Sequence, residues 1–346
     1  MGKITLGEVA IESKATWKSD KVGVPIVGLE HLEPGEITLS NWEINSENTF
    51  TKKFLKGQVL LGRRRVYLRK AVIAPVDGIC SGDITVIEAI PRKILPELLP
   101  FVIQNDKFFD YAVQGSAGSL SPRVKWEHLK KYSFELPSID EQKVLANKLW
   151  AAYSLKESYK KLLSATDEMV KSQFIEMFKD SPKSVIADFC KVEKGATITR
   201  NEVIEGDIPV IAGGQEPSCY HNVANRKAGA ITISASGAYS GFVNYWSTPI
   251  FASDCNTVIP IDEENTNVHF LYNGLKAIQK EIYALQKGGA QPHVYGKDIE
   301  KLLFPYPTKA EQDIFADIAQ QADKSKFELR KSIEAIDAVI KSLINS

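Results

Sequence analysis

Two stretches of the chain place apolar residues in steps of three and four over five turns or more. One runs through Leu145, Leu149, Ala152, Lys156, Tyr159, Leu163, Thr166, Val170, Phe174 and Met177. The other runs through Phe315, Ala319, Ala322, Lys326, Leu329, Ile333, Ile336, Ile340 and Leu343. That spacing puts each set on one face of a helix, and its length suits coiled-coil packing. Each helix opens, after a proline, on a capping box: Ser138 with Glu141, and Thr308 with Glu311. In such a box the hydroxyl takes an orphan N–H while the carboxylate reaches back to the cap residue. No Pro or Gly interrupts either helix, and Lys156 and Lys326 break the two apolar stripes at the same place. Elsewhere, short apolar runs bounded by Gly, Pro, Asn and Asp predict strands at 24–29, 58–61, 84–87, 208–212, 230–234 and 257–261. Helical patterns intervene near 96–113 and 267–285.

These elements recur because the chain is a tandem duplication. PRVKWEHLKKYSFELPSIDEQ from Pro122 aligns without a gap on PHVYGKDIEKLLFPYPTKAEQ from Pro292, an offset of 170 residues. Glycine-rich turns precede both, Gly115-Ser-Ala-Gly118 and Gly288-Gly-Ala290. Upstream, GQVLLGRRRVY from Gly57 matches GAITISASGAY from Gly229 at an offset of 172 residues, as does Thr85-Val86-Ile87 on Thr257-Val258-Ile259. The predicted architecture is mixed α/β of the α+β kind. A globule at 1–137, a helix at 138–180, a second globule at 181–307 and a second helix at 308–346 follow one another. A short return path makes the second helix antiparallel to the first. The two copies are then related by a pseudo-two-fold axis, with Leu145, Leu149, Tyr159, Leu163 and Val170 facing Phe315, Leu329, Ile333, Ile336 and Ile340.

Composition narrows the class without naming it. The 346 residues are 44% hydrophobic and 25% charged, which is ordinary for a globular chain long enough for two cores. No run approaches the roughly 18 apolar residues of a membrane span, and the opening MGKITLGEVAIESK lacks a signal-peptide layout. A soluble, cytoplasmic protein is expected. Four cysteines stand singly, with no pair at metal-ligand or disulfide spacing, so reduced thiols and no metal site are expected. Net charge is zero, yet eight Lys/Arg and no acid lie between Thr51 and Val76. A neutral protein can still bind DNA if its cations gather on one face.

Two different heads on a rod suit two different half-sites separated by an unread gap, since duplex DNA has local two-fold symmetry. A helix of this length, about 58 Å at ~1.5 Å per residue, caps the half-site separation at about 17 bp, and roughly one helical turn between centres is expected. In its repeat pattern, and in Gly288–Gln312, Ser154–Asp180 and Ser236–Ile259, the chain resembles the specificity (S) subunits of type I restriction–modification enzymes. The resemblance spans essentially the whole chain. It departs most at GSAGSLSPRV in the first copy, where a glutamine-bearing turn is usual. It implies two target-recognition domains alternating with two spacer helices, and an asymmetric bipartite site on double-stranded DNA. It also implies two methyltransferase (M) subunits that bind S-adenosylmethionine, and two restriction (R) subunits that use ATP and Mg²⁺.

Candidate DNA contacts follow from residue chemistry. Arg63, Arg64, Arg65, Arg69 and Lys70 form a basic run between two predicted strands. Arginine can pair bidentately with guanine or grip phosphates; a solvated charged turn is the plainer alternative. The matching turn offers Ser236 and Tyr239 for hydroxyl contacts to bases or phosphates, with a plain glycine turn the equal alternative. After the glycine-rich turns come Ser119, Ser121, Arg123 and Lys125 in one copy, and Gln291, His293 and Tyr295 in the other. Arg200, Asn201, Arg226 and Lys227 are further phosphate-contact candidates, whereas Tyr220, Tyr245 and Trp246 read as core.

No catalytic residues are assigned. The chain lacks the [DNS]-P-P-[FYW] motif of an amino-methyltransferase, and Gly296-Lys297 lacks the flanking residues of a phosphate loop. Glu12-Ser-Lys14 carries the ending of some nuclease motifs without the preceding Pro-Asp. The sequence therefore predicts a non-catalytic reader. A coiled-coil scaffold without DNA, and a compact nuclease or methyltransferase with degenerate motifs, are the competing readings.

Overall fold

The structure, a computed structural model, describes residues 2–118 and 120–345. It divides into two compact units, Met1–Lys160 with Lys331–Ser346, and Lys161–Arg330.

The first unit is built on two four-stranded sheets. In one, Ala10–Glu12, Ile84–Ala89, Val59–Gly62 and Ala71–Ile73 lie side by side, all antiparallel. In the other, Pro25–Val27 and Gly78–Cys80 form a central parallel pair flanked by Glu43–Ile44 and Lys52–Phe54. A small ribbon, Gly2–Thr5 with Ser133–Leu136, closes the unit beside the start of the helix. The second unit repeats this plan. Cys190–Lys194, Cys255–Pro260, Ala230–Ser234 and Val243–Trp246 take the same order and sense. Ile208–Ile211 and Phe251–Ala252 supply the parallel pair, with Cys219–His221 beside it. Lys183–Val185 with Leu303–Pro305 is the ribbon. Nearly all pairings are antiparallel and the helices are set apart from the sheets, so the fold is the expected α+β mixture and not a βαβ array.

The long helices span Ile139–Phe178 and Lys309–Asn345. Both capping boxes form: Ser138 and Thr308 each donate N–H and O–H to the Glu three residues on, with N–H···O distances of 2.9 Å in both. The helices pack antiparallel. In the first unit Lys156 Nζ meets Asp337 Oδ1 at 2.6 Å, and Leu145 and Leu149 share a core with Ile340 and Leu343. In the second, Lys326 Nζ meets Asp167 Oδ1 at 2.8 Å, and the Phe174 and Phe315 rings meet edge to face at 5.3 Å. Rising numbers on one helix thus meet falling numbers on the other. Leu149, Val170, Phe315 and Ile340 are buried, while Tyr159, Leu163, Leu329, Ile333 and Ile336 are half-buried.

Each unit buries its helix segment against its own domain. In the first unit Leu149 shares one buried core with Phe101, Phe108, Phe109 and Leu129. In the second, Phe174, Phe178, Phe270, Phe304 and Phe315 form an aromatic cluster with centroids 5.1–6.2 Å apart. Gly274 is what lets it close, since a Cβ there would lie 2.4 Å from the Phe304 ring.

Two expectations are corrected. The helical pattern at 96–113 is two helices, Leu99–Ile103 and Asp106–Gln114, because Asn105 caps the second by accepting the Lys107 N–H at 2.8 Å. Tyr220 is not core. It sits mid-strand between Cys219 and buried His221, so the two-residue alternation of the strand turns it outward. Tyr245 and Trp246 are half-buried.

Candidate nucleic-acid interface

The two sets of candidate contacts, nearly sixty residues apart in sequence, come together in both units. In the first, Arg64 bridges to Arg123 as an isolated antiparallel pair. Val124 N–H donates to Arg63 O at 3.0 Å, and Arg65 N–H to Pro122 O at 2.8 Å. In the second, Ser236 bridges to His293, Val294 N–H donates to Ala235 O at 2.9 Å, and Gly237 N–H to Pro292 O at 3.1 Å. Each glycine-rich turn folds on itself through a matching bridge, Ala117 with Arg123 and Lys287 with His293. Gly118 and Gly288 take positive φ (115° and 97°), which only glycine adopts without strain there. A hairpin loop and a glycine-rich turn therefore present side chains from one edge, by the same backbone hydrogen bonds, in each unit.

An aspartate missing from the sequence reading organises both sites. Asp83 O accepts the Arg63 N–H at 2.9 Å, and Asp254 O accepts that of Ala235 at 3.1 Å. The Asp83 carboxylate takes Arg123 Nε at 2.7 Å and Nη2 at 3.2 Å, with Arg64 Nη1 at 3.6 Å. The Arg123 hydrogen bond holds this carboxyl below its ordinary range, more than offsetting partial burial. Arg64 Nη2 also donates to Ser121 Oγ at 3.0 Å. In the second unit the Asp254 carboxylate accepts a short hydrogen bond from Ser236 Oγ instead. The signal was present in the sequence: Ser81-Gly-Asp83 and Ser253-Asp254 stand just before the matched Thr-Val-Ile triplets.

The basic run is not a uniform cationic patch. Lys70 Nζ donates to Leu29 O at 2.8 Å, which spends it on the fold. Arg69 pairs with Asp106 and, at 2.9 Å, with Asp110 on the adjoining helix. Arg65 is exposed, and among the described residues its side chain has no partner. Arg65 and Arg69 both sit at φ 53°, left-handed positions that cost a residue with a Cβ about 1–2 kcal/mol each. The second unit has Gly237 and Gly241 at the matching places, with φ of 82° and 89°.

Other candidates distribute as follows. Lys125 and Tyr295 are exposed N-caps of matching short helices, and His293 stacks on Tyr295 at 6.1 Å. Gln291 and Tyr239 are exposed. Ser119 lies outside the described residues. Arg200 and Asn201 are exposed in a separate loop of the second unit, with no bridge to these turns among the described residues. Arg226 lies largely inside the fold, donating Nε to Thr257 Oγ1 at 2.9 Å and pairing with Glu193 at 3.2 Å. Lys227 pairs with Glu263.

Among the described residues no group of three or more His, Cys, Asp or Glu could hold a metal ion. The Cys80, Cys190 and Cys255 thiols are buried, and burial pushes each up to about 12, which keeps them protonated and unreactive. No helix, among the described residues, is long and apolar enough to cross a membrane. What the edges offer is a set of donors on a rigid frame: guanidiniums, hydroxyls, an amide and an imidazole.

Residues 179–337 match the family model of the type I restriction modification DNA specificity domain. The resemblance to type I specificity subunits read from the sequence is thereby borne out. Over 134 residues, 38% of this chain, it is 24% identical to the EcoDI specificity subunit of a type I restriction enzyme from Escherichia coli. That match spans 30% of the length of this relative. The fold is similar to that of a type I restriction–modification S subunit from M. genitalium, with TM-score 0.58 and 16% identity, covering 99% of this chain and 94% of the other. It is likewise similar to a structure described for complex assembly and conformational transition of the type I R-M system. There the TM-score is 0.57 and identity 16%, covering 99% and 96%.

Proposed function

We propose that this chain is the DNA-reading subunit of a type I restriction–modification complex and catalyses no reaction itself. Each unit reads one half of an asymmetric bipartite site on double-stranded DNA through its hairpin loop and glycine-rich turn. The paired helices fix the unread gap and dock two methyltransferase subunits, to which two restriction subunits add for cleavage. S-adenosylmethionine belongs to the methyltransferase partners; ATP and Mg²⁺ belong to the restriction partners.

One observation carries this reading: the same backbone hydrogen bonds hold different side chains at the same places in both units. Arg64 corresponds to Ser236, Arg65 to Gly237, and Arg123 to His293. A constant frame with exchanged donors is what two readers of different base sequences need, because base edges are distinguished by their donor and acceptor patterns. Co-expression with its methyltransferase subunits, followed by methylome sequencing, should show adenine methylation in a motif of two unlike halves around an unspecified gap. A single continuous motif, or an unmodified genome, would refute it.

A further inference from the structure

The hairpin loops that carry the candidate contacts are both eight residues long, between Val59–Gly62 and Ala71–Ile73 and between Ala230–Ser234 and Val243–Trp246. At their apices Arg65-Val-Tyr-Leu-Arg69 of one loop corresponds to Gly237-Ala-Tyr-Ser-Gly241 of the other, residue for residue. Both begin and end on left-handed residues. In both, a 2.9–3.0 Å backbone hydrogen bond from the fourth residue to the first tightens the apex. Of the five positions only the tyrosine is the same. Tyr67 is 52% exposed and Tyr239 48% exposed. Among the described residues neither hydroxyl has a hydrogen-bond partner, and neither ring stacks on another. In both units the phenol hydroxyl is thus left without a protein partner at the tip of the loop.

Resting on the recognition reading above, we infer that Tyr67 and Tyr239 are equivalent DNA-positioning contacts. Each phenol donates its O–H to a phosphate oxygen and lays its ring against the adjoining sugar. A residue shared by two units that read different bases cannot carry the difference between them. What it can supply is register on the duplex, because phosphate contacts orient a protein without reporting sequence. The exchanged side chains at Arg64 and Ser236, Arg65 and Gly237, and Arg123 and His293 then discriminate. Tyr67 was not among the residues that sequence composition pointed to, since a tyrosine inside a basic run carries no signal of its own. It stands out only once the two loops are superimposed by their hydrogen bonds.

The test uses the full chain assembled with its methyltransferase subunits. Wild type, Tyr67→Phe, Tyr67→Ala, Tyr239→Phe, Tyr239→Ala and Arg64→Ser are titrated at several salt concentrations. The duplexes bear either the methylated motif or one altered base pair in either half. Each Tyr→Phe change should weaken binding about two- to tenfold, the range of one hydrogen bond, by the same factor on every duplex. It should leave the salt dependence unaltered, because no cation is removed. Arg64→Ser, in contrast, should relax one half of the motif only. Tyrosine variants that bind every duplex like wild type, as Ala and as Phe, would overturn the inference, as would a loss confined to one base pair. If the wild-type complex fails to distinguish the motif from the altered duplexes, the recognition reading itself falls and takes the inference with it. Wild-type discrimination with inert tyrosines removes the inference alone.

Discussion

The loop edge of the first unit is held by two arginines on a carboxylate and by strained backbone, and that of the second by glycine and one hydroxyl-to-carboxylate hydrogen bond. Asp83 gathers Arg123 and Arg64, whereas Asp254 takes a serine hydroxyl. Arg65 and Arg69 occupy left-handed backbone where the other loop has Gly237 and Gly241. Since the backbone hydrogen bonds agree, the frame does not require those arginines, and glycine would serve it better. The first unit therefore keeps strained arginines for what their side chains do. Arg69 ties the loop to Asp106 and Asp110, and Arg65 is left facing outward.

The largest effect should come from removing the two organising aspartates. Asp83→Ala leaves two partly exposed guanidiniums, Arg123 and Arg64, without the carboxylate that holds them at the edge. Methylation at the motif should fall roughly tenfold. Asp254→Ala removes the acceptor of a single hydroxyl, and the fall should be smaller, about two- to fivefold. Equal losses, measured by the rate of methyl transfer to motif-bearing DNA, would break the distinction drawn between the two edges.

Arg65→Gly comes next. It relieves a left-handed residue and should raise stability in urea unfolding by about 0.5–1 kcal/mol, while relaxing recognition of one half-site. The matching change Gly237→Ala meets open space, so backbone strain is its whole cost, and stability should fall by about 1 kcal/mol. A destabilised Arg65→Gly chain would mean that Arg65 supports the fold after all.

The smallest effect is the response to pH. Asp83 has its proton affinity lowered by Arg123, so its contribution is complete above the ordinary value of 3.8 and is lost only as pH falls through the depressed folded value. His269 in the second unit also has its proton affinity lowered, by burial, with Asp323 opposing. Its unfolded imidazole takes a proton below the ordinary value of 6.5 while the folded one resists. The second unit should therefore begin to lose stability below neutral pH, where the Asp83 edge of the first is unchanged. Hydrogen exchange followed from pH 7.5 down to about pH 5 reads both units in one sample. Earlier loss of protection at the Asp83 edge would reverse the order.

Much of the fold was legible because the signals were local and occurred twice. Ser138 with Glu141 and Thr308 with Glu311 announced helix starts that the structure has, and the matched Lys156 and Lys326 marked two interhelical ion pairs. The break at Asn105 was less visible, since a short polar residue within an apolar pattern reads equally as one helix face or as a cap. Within the candidate site, residue type identified Arg64, Arg123, Ser236 and His293 but not which of them meet. Asp83 escaped notice because an acid on a presumed DNA-binding edge looks unfavourable until its two arginine partners are known.

By itself the sequence determined the duplication, the helices with their caps, and the exchange of arginine for serine and glycine between copies. These depend on spacing of a few residues or on comparing one half of the chain with the other. Only the tertiary structure decided which cations are spent on the fold and which remain for a ligand. Lys70 and Arg69 are consumed by a carbonyl and two carboxylates from distant segments, while Arg65, four residues before Arg69, is left unpartnered among the described residues. The reason is geometric. A side chain several ångströms long finds its partner through contacts among residues brought close by sheet pairing, and linear order records none of those distances.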